Sequence, residues 1–126
     1  MTIYKIVPAA LWRESAVAGR FSGSPVDRRD GFIHFSTAAQ VRQTAARHFA
    51  GVVDLLLVAI DGEKTGGEKT GGGKPSGLPE ALRWEPSRGG DLFPHLYCDL
   101  TFDAVRWVKP LPLGTGGRHL FPDLEE

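Results

Sequence analysis

The chain has 126 residues, with 15 Lys or Arg against 15 Asp or Glu and a single cysteine. That length fits one domain, 1–126, with a real core, while zero formal net charge argues against nucleic-acid binding through bulk charge and one thiol excludes an intrachain disulfide. No apolar run approaches the roughly 18–20 residues of a membrane span, and no basic region followed by a long apolar core opens the chain, so the expected compartment is the cytoplasm and no membrane partner is expected.

The first element expected is a strand over Ile3–Val7. Period-two alternation puts Tyr4 and Ile6 on one face and Ile3, Lys5 and Val7 on the other. Pro8 suits the first turn of a helix, where its missing N–H is no loss. Ala9–Ala18 reads as that helix, with Leu11, Trp12 and Ala16 buried and Gly19 as its stop. Arg20–Asp30 reads as a polar loop, whose adjacent Arg28 and Arg29 could meet a phosphate or carboxylate.

The stretch Asp30–Thr37, DGFIHFST, is the most informative in the chain. A Gly turn feeds a short strand that puts Phe32, His34 and Ser36 on one face and Ile33 and Phe35 on the other. Thr37 and Gln40 are spaced as a capping box. The helix expected over Ala38–Ala50 has a buried stripe of Ala38, Val41, Ala45 and Phe49. His48, in its last turn, suits the helix dipole.

Val52–Ile60 is the most apolar run and reads as a strand buried on both faces. Asp61–Gly77 contains GEKTGGEKTGGG, too polar to offset its ordering entropy, and is expected to be a mobile surface loop. It lacks the GxxxxGK[ST] ending of a phosphate loop. Leu82–Glu85 reads as a short strand. Pro86–Leu100, PSRGGDLFPHLYCDL, is the second informative stretch. Gly89 and Gly90 permit a tight turn, and an extended Phe93–Leu100 points His95 and Tyr97 the same way. Pro94 is expected at a strand's edge or start. Ala104–Val108 is a further strand. Pro110–Glu126 is a Pro/Gly-rich tail that Leu120 and Phe121 could pin, with His119 at the surface. About six strands with two helices in the N-terminal half predict an α+β fold with a strongly curved or split sheet. No GxGxxG follows a strand, which removes the Rossmann mode of dinucleotide binding.

The candidate site draws His34 from the central strand, Arg88, Asp91, His95 and Tyr97 from the Gly-Gly segment, and Tyr4 and Lys5 from the first strand. Arg and Lys supply charge, His a hydrogen bond or a proton, and Tyr a stacking face, a set suited to a nucleotide or other phosphorylated ligand. Each residue also has a structural reading, such as a core His bonded to a carbonyl or an Arg–Asp pair across a turn. A zinc site from His34, His95 and Asp91 lacks the spacing of the usual ligand sets, so no metal is expected. Cys98 reads as a small buried residue, and Ser36 lacks the Gly-x-Ser-x-Gly elbow of a nucleophile.

The start IYKI, the stretch DGFIHFST and the stretch RGGDLFPHLY resemble the family catalogued as domain of unknown function 952. The resemblance spans nearly the whole chain. It departs in the Gly/Lys/Thr repeat and at Cys98, where a Gly is expected after the Tyr. That family is similar to a distant branch of the ADP-ribosyltransferase fold, closest to the RNA 2′-phosphotransferases. The resemblance implies a split, curved sheet holding NAD in a cleft. His34, Phe35 and Ser36 match the His, apolar, small-polar pattern of those enzymes' central strand. Tyr4 and Lys5 stand where a His-Gly pair is found in their first strand. Many protein-modifying relatives place a Glu late in the sheet, and none stands within Phe93–Leu100.

Two functions follow from the resemblance. The first is an NAD-dependent transferase, phosphotransferase-like, with His34 and His95 as its catalytic residues. Tyr4, Lys5, Ser36, Arg88, Asp91 and Tyr97 would then bind the nucleotide. The second is a module that binds a nucleotide or phosphorylated small molecule without catalysis. A third, an interaction protein with no ligand pocket, predicts an exposed apolar patch.

Overall fold

The structure, a computed structural model, describes residues 1–63 and 81–125. The repeat expected as a loop over 61–77 lies, from residue 64 onward, outside the described residues. In chain order the elements are β1 (Thr2–Pro8), α1 (Ala9–Ala18), β2 (Arg20–Phe21), α2 (Pro25–Asp30), β3 (Ile33–His34) and α3 (Ala38–His48). Then come β4 (Leu55–Asp61), β5 (Leu82–Pro86), β6 (Leu92–Leu96), β7 (Leu100–Thr101) and β8 (Val105–Leu111). This is a small α+β fold in which every strand pairing is antiparallel.

Among the described residues three sheets form, in the orders β1-β4-β8, β2-β7 and β3-β6-β5. The first is covered on both faces. Tyr4, Ile6, Leu55, Leu57 and Ala59 face α3, where Ala38, Val41 and Ala45 form the buried stripe. Ile3, Val7, Val58 and Ile60 face the opposite way and pack with Ile33, Phe35 and Leu96 of the β3–β6 region. Each fully buried aliphatic side chain of this kind stabilises the fold by about 1.5–3 kcal/mol. The apolar run thus forms the two-faced middle strand that its composition suggests, although it begins at Leu55. Val52 and Val53 are exposed, and Asp54 turns the chain with φ of 60°.

Residues 33–36 join the two larger sheets. Ile33 and His34 pair with Leu96 and His95. The Phe35 N–H donates to the Pro94 carbonyl at 3.0 Å. Ser36 then exchanges both backbone hydrogen bonds with Tyr4, at 2.8 and 2.9 Å, closing the outer edge of β1. Pro94 therefore stands in the middle strand of its sheet and not at an edge. It is tolerated because the β3 ladder ends beside it, where only its carbonyl is engaged.

The polar loop expected over Arg20–Asp30 is instead β2 followed by the helix α2. Ser24 and Asp27 cap α2 reciprocally and Pro25 opens it. In α1 the buried residue is Ser15, whose hydroxyl donates to the Leu11 carbonyl at 3.0 Å, whereas Ala16 is exposed. Trp12 is half-buried between Phe21 and Phe102, at ring separations of 5.6 and 5.3 Å. The tail is pinned by Phe121 and Leu124 against the α3-side core, and by Glu125, whose backbone bonds the Tyr4 hydroxyl.

Candidate functional site

The site grows from the one charged side chain on an otherwise apolar sheet face. Alternation along β1 puts Lys5 beside Ile3 and Val7, with only 7 % of its surface exposed. A bare ammonium there is costly, so a counter-charge is required. Asp27 supplies it from α2, itself 1 % exposed. Lys5 Nζ lies 3.0 Å from Oδ1 and 2.9 Å from Oδ2 of Asp27.

Asp27 has no idle lone pair. Oδ2 also accepts the Ser24 N–H at 2.8 Å. Oδ1 also accepts the His34 backbone N–H at 3.1 Å and the His34 Nδ1–H at 2.6 Å. Burial pushes this carboxyl's pKa up, but the His34 bond, the Lys5 charge and the Ser24 N–H outweigh it. The net result holds the group far below the usual carboxylate range. Burial lowers the pKa of Lys5, and Asp27 opposes that fall.

His34 is thereby oriented through Nδ1, while its side chain remains 31 % exposed. Its Nε2 lies 3.0 Å from Oδ2 of Asp30, at the end of α2. A neutral imidazole can donate to only one of these two carboxylates; the charged ring donates to both. Gly31, with φ of 90°, ends α2 and turns the chain so that Asp27 and Asp30 both reach back to His34.

His95 sits opposite His34 in the β3–β6 pairing, with ring centroids 5.4 Å apart. It repeats the same device: Nδ1 meets Oε1 of Glu85 at 2.7 Å, from the neighbouring strand β5. The Tyr97 hydroxyl donates to the same oxygen at 2.7 Å. The Tyr97 and His95 bonds hold the Glu85 carboxyl below its ordinary pKa, and the Glu85 bond raises that of the Tyr97 phenol. Phe32 lies among the three rings, stacked on His95 at 4.1 Å and 5.2 Å from Tyr97. The Arg83 guanidinium lies 4.8 Å from the Tyr97 ring centre. Phe32 also lines a hollow of about 200 Å³, together with Asp27, Arg28, Tyr97 and Cys98.

The structure thus brings His34, His95 and Tyr97 together. It corrects the placement of others. Tyr4 points away from Lys5, because adjacent strand residues face opposite sides; its ring is fully buried against the α3-side core and its hydroxyl bonds Glu125. Lys5 contacts Asp27 and is too buried to meet a ligand. Ser36 is buried, with its hydroxyl 3.0 Å from that of Thr44 on α3. Asp91 is exposed on the β5–β6 turn, where its carbonyl accepts the Ser87 N–H at 2.9 Å. Gly89 and Gly90 belong to that turn, and the Arg88 side chain lies outside what is described. Cys98 is exposed, not buried. No group of three or more His, Cys, Asp or Glu among the described residues is arranged to hold a metal ion. No helix among them is long and apolar enough to cross a membrane.

Asp27, Asp30, Phe32 and Glu85 are the site residues that sequence reasoning missed. Two signals pointed to Asp27 and Glu85. Ser24-Pro25-Val26-Asp27 is a capping-box spacing with Pro at the first helical position. A hairpin folded about Gly89 puts Glu85 on the same face as His95 and Tyr97, since Arg83 pairs with His95 and Glu85 with Phe93.

Fold and site together define a small α+β domain with two adjacent histidines, each held by a carboxylate. The chain belongs to the family described as "Protein of unknown function (DUF952)", which matches residues 6–108. That span holds every site residue except Lys5. The crystal structure of protein CC0527 from Caulobacter crescentus is similar, at 40% identity and a TM-score of 0.78, over 95% of this chain and 94% of that chain. The solution NMR structure of CC0527 is similar at 41% identity and a TM-score of 0.74, over 93% and 90%. The comparison with curated proteins gave no match.

Proposed function

We propose that this protein is an ADP-ribosyltransferase-like domain that binds NAD or a related nucleotide at the His34–His95 face. The observation that carries the reading is the matched pair of imidazoles, each oriented through Nδ1 by a carboxylate and flanked by Phe32 and Tyr97. The chemistry of the set suits a nucleotide. Imidazole and guanidinium groups pair with phosphate, carboxylates accept ribose hydroxyls, and aromatic faces take a base. Bound NAD would supply an activated ribose bond whose cleavage builds positive charge on the sugar, which a carboxylate stabilises. Glu85 brings such a carboxylate from β5, a position outside the Phe93–Leu100 run. His34, the more exposed imidazole, is the group placed to hold or move a proton or contact phosphate. Transfer of ADP-ribose or of a phosphate is the reaction class.

A second reading has its own support. Three of the four imidazole nitrogens already face carboxylates, Asp27, Asp30 and Glu85. Such a saturated network suits a module that recognises a nucleotide or phosphorylated small molecule and transforms nothing. Calorimetric titration with NAD, followed by assay for free nicotinamide, separates the two. Binding with release supports the transferase; binding without release supports the module. No heat and no release with the wild-type protein overturns the transferase and counts against the module as a receptor for NAD.

A further inference from the structure

A second hollow lies between α3 and the tail segment 116–121, and it shares no residue with the histidine site. Its volume is about 690 Å³, within the roughly 300–1,000 Å³ of small-molecule sites. Its lining combines an apolar surface, from Ala46, Ala50 and Phe121, with two cations, Arg42 and Arg118. Neither guanidinium has a carboxylate partner among the described residues, although most charged groups of the histidine site are paired. Among the described residues no acidic side chain lines the hollow. The charge that the described residues bring to it therefore has one sign.

The wall is held in place by its own bonds. His119 Nε2 donates to the Val52 carbonyl at 2.8 Å, and the Gly51 N–H donates to the Gly117 carbonyl at 3.1 Å. These tie the tail to the turn after α3, so the groove does not depend on a ligand to form. The Arg42 guanidinium lies 5.3 Å from the centre of the Phe121 ring. An anion seated on Arg42 therefore brings whatever carries it beside the Phe121 ring.

We propose that this groove binds a small organic anion, a phosphate or carboxylate carried on a flat apolar body. Arg42 and Arg118 hold the anionic group, and Phe121 with Ala46 and Ala50 takes the body. A guanidinium suits either anion, because its planar donors match both oxygen geometries.

The test is a titration followed by amide NMR shifts, using 1-naphthyl phosphate, 1-naphthoate, 1-naphthol and inorganic phosphate as probes. One or both naphthyl anions should saturably shift the amides of Gly116, Gly117 and Leu120, and the tighter of the two identifies the anion type. Naphthol and inorganic phosphate should each bind at least about tenfold more weakly, since each lacks one half of the recognition. Arg42→Gln and Arg118→Gln, both at exposed positions, should each weaken the anion about tenfold while the spectrum stays native. The proposal is overturned if neither anion shifts these amides, or if naphthol binds as well as the anions. Undiminished binding by both folded Arg variants also overturns it.

Discussion

Lys5 of the first strand and Asp27 of the second helix form a buried ion pair, with Nζ 2.9 Å from Oδ2 and 3.0 Å from Oδ1. The pair joins the core of the molecule to its candidate site, because the same carboxylate carries His34. Removing one partner leaves the other charged in an apolar wall. Lys5→Met should therefore destabilise the fold by about 3–5 kcal/mol in urea denaturation, whereas Lys5→Met with Asp27→Asn should cost less than the sum of the single changes. Additive costs would mean that the pair does not act as a unit.

Acid should expose the same carboxylate. Its folded pKa lies below the ordinary value of 3.8, so the unfolded chain takes up a proton first as pH falls. The stability contributed by Asp27 is present above pH 3.8 and is lost below it, toward the folded value. Glu85 acts in the same direction from a half-buried position. Thermal unfolding followed from pH 7 to pH 2 should fall steeply at the acid end for the wild type. Asp27→Asn, less stable at pH 7, should show a flatter acid limb; an unchanged slope would remove Asp27 from the account.

Substitution of His34 separates site from scaffold. His34→Ala deletes one bond to Asp27 but leaves the Lys5 and Ser24 bonds, so a stability loss of about 1–2 kcal/mol is expected. Nucleotide binding should fall about tenfold or more, the worth of one charge-assisted bond. A loss of stability as large as that of Lys5→Met would make His34 a core residue. Arg88→Ala should weaken binding with little effect on stability.

Glu85 has a spectroscopic signature. The chain has two tyrosines, and the Tyr97 phenol is raised in pKa by its bond to Glu85, with burial adding to the effect. Glu85→Gln should shift the Tyr97 component of an absorbance titration toward lower pH. The Tyr4 component, raised by burial, should stay where it is. A titration curve identical to that of the wild type would argue against this bond.

Two glycines around α2 should differ in their response to alanine. At Gly31 an added methyl meets nothing within 4 Å, so only the strain of φ 90° is paid, about 1–2 kcal/mol. At Gly23 the φ is 109° and the new carbon lies 2.8 Å from Cβ of Asp27. Gly23→Ala should therefore cost more than Gly31→Ala and should also move the His34 NMR signals.

Local pattern made much of the fold legible. The strand at Ile3–Val7, the helix Ala9–Ala18, the α3 stripe and the apolar middle strand follow from periodicity and from punctuation by Pro8 and Gly19. The elements that escaped are short ones. β2 and β7 have two residues each, which is too few for an alternation to show, and they exist because long-range partners hold them; the strand read through 32–36 is present as β3, shortened to Ile33–His34. α2 has six residues and was hidden among charges. At the site, proximity in sequence misled for Tyr4, which strand parity sends to the other face from Lys5. It also hid Asp27, which serves His34 from seven positions away through a helix not read as one. Glu85 was hidden for a related reason: its partners lie across a hairpin whose exact pairing the Gly-Gly dipeptide only suggests.

The short pairing of Ile33 and His34 with Leu96 and His95 has a consequence for how the two imidazoles can evolve. Sliding that ladder by a single residue would turn Ile33 and Phe35 out to water and thrust His34 among aliphatic chains. The spacing between the rings is thus policed by grease on the reverse side of the strand. Drift that spares the interior leaves the imidazoles aligned, whatever becomes of the groups around them.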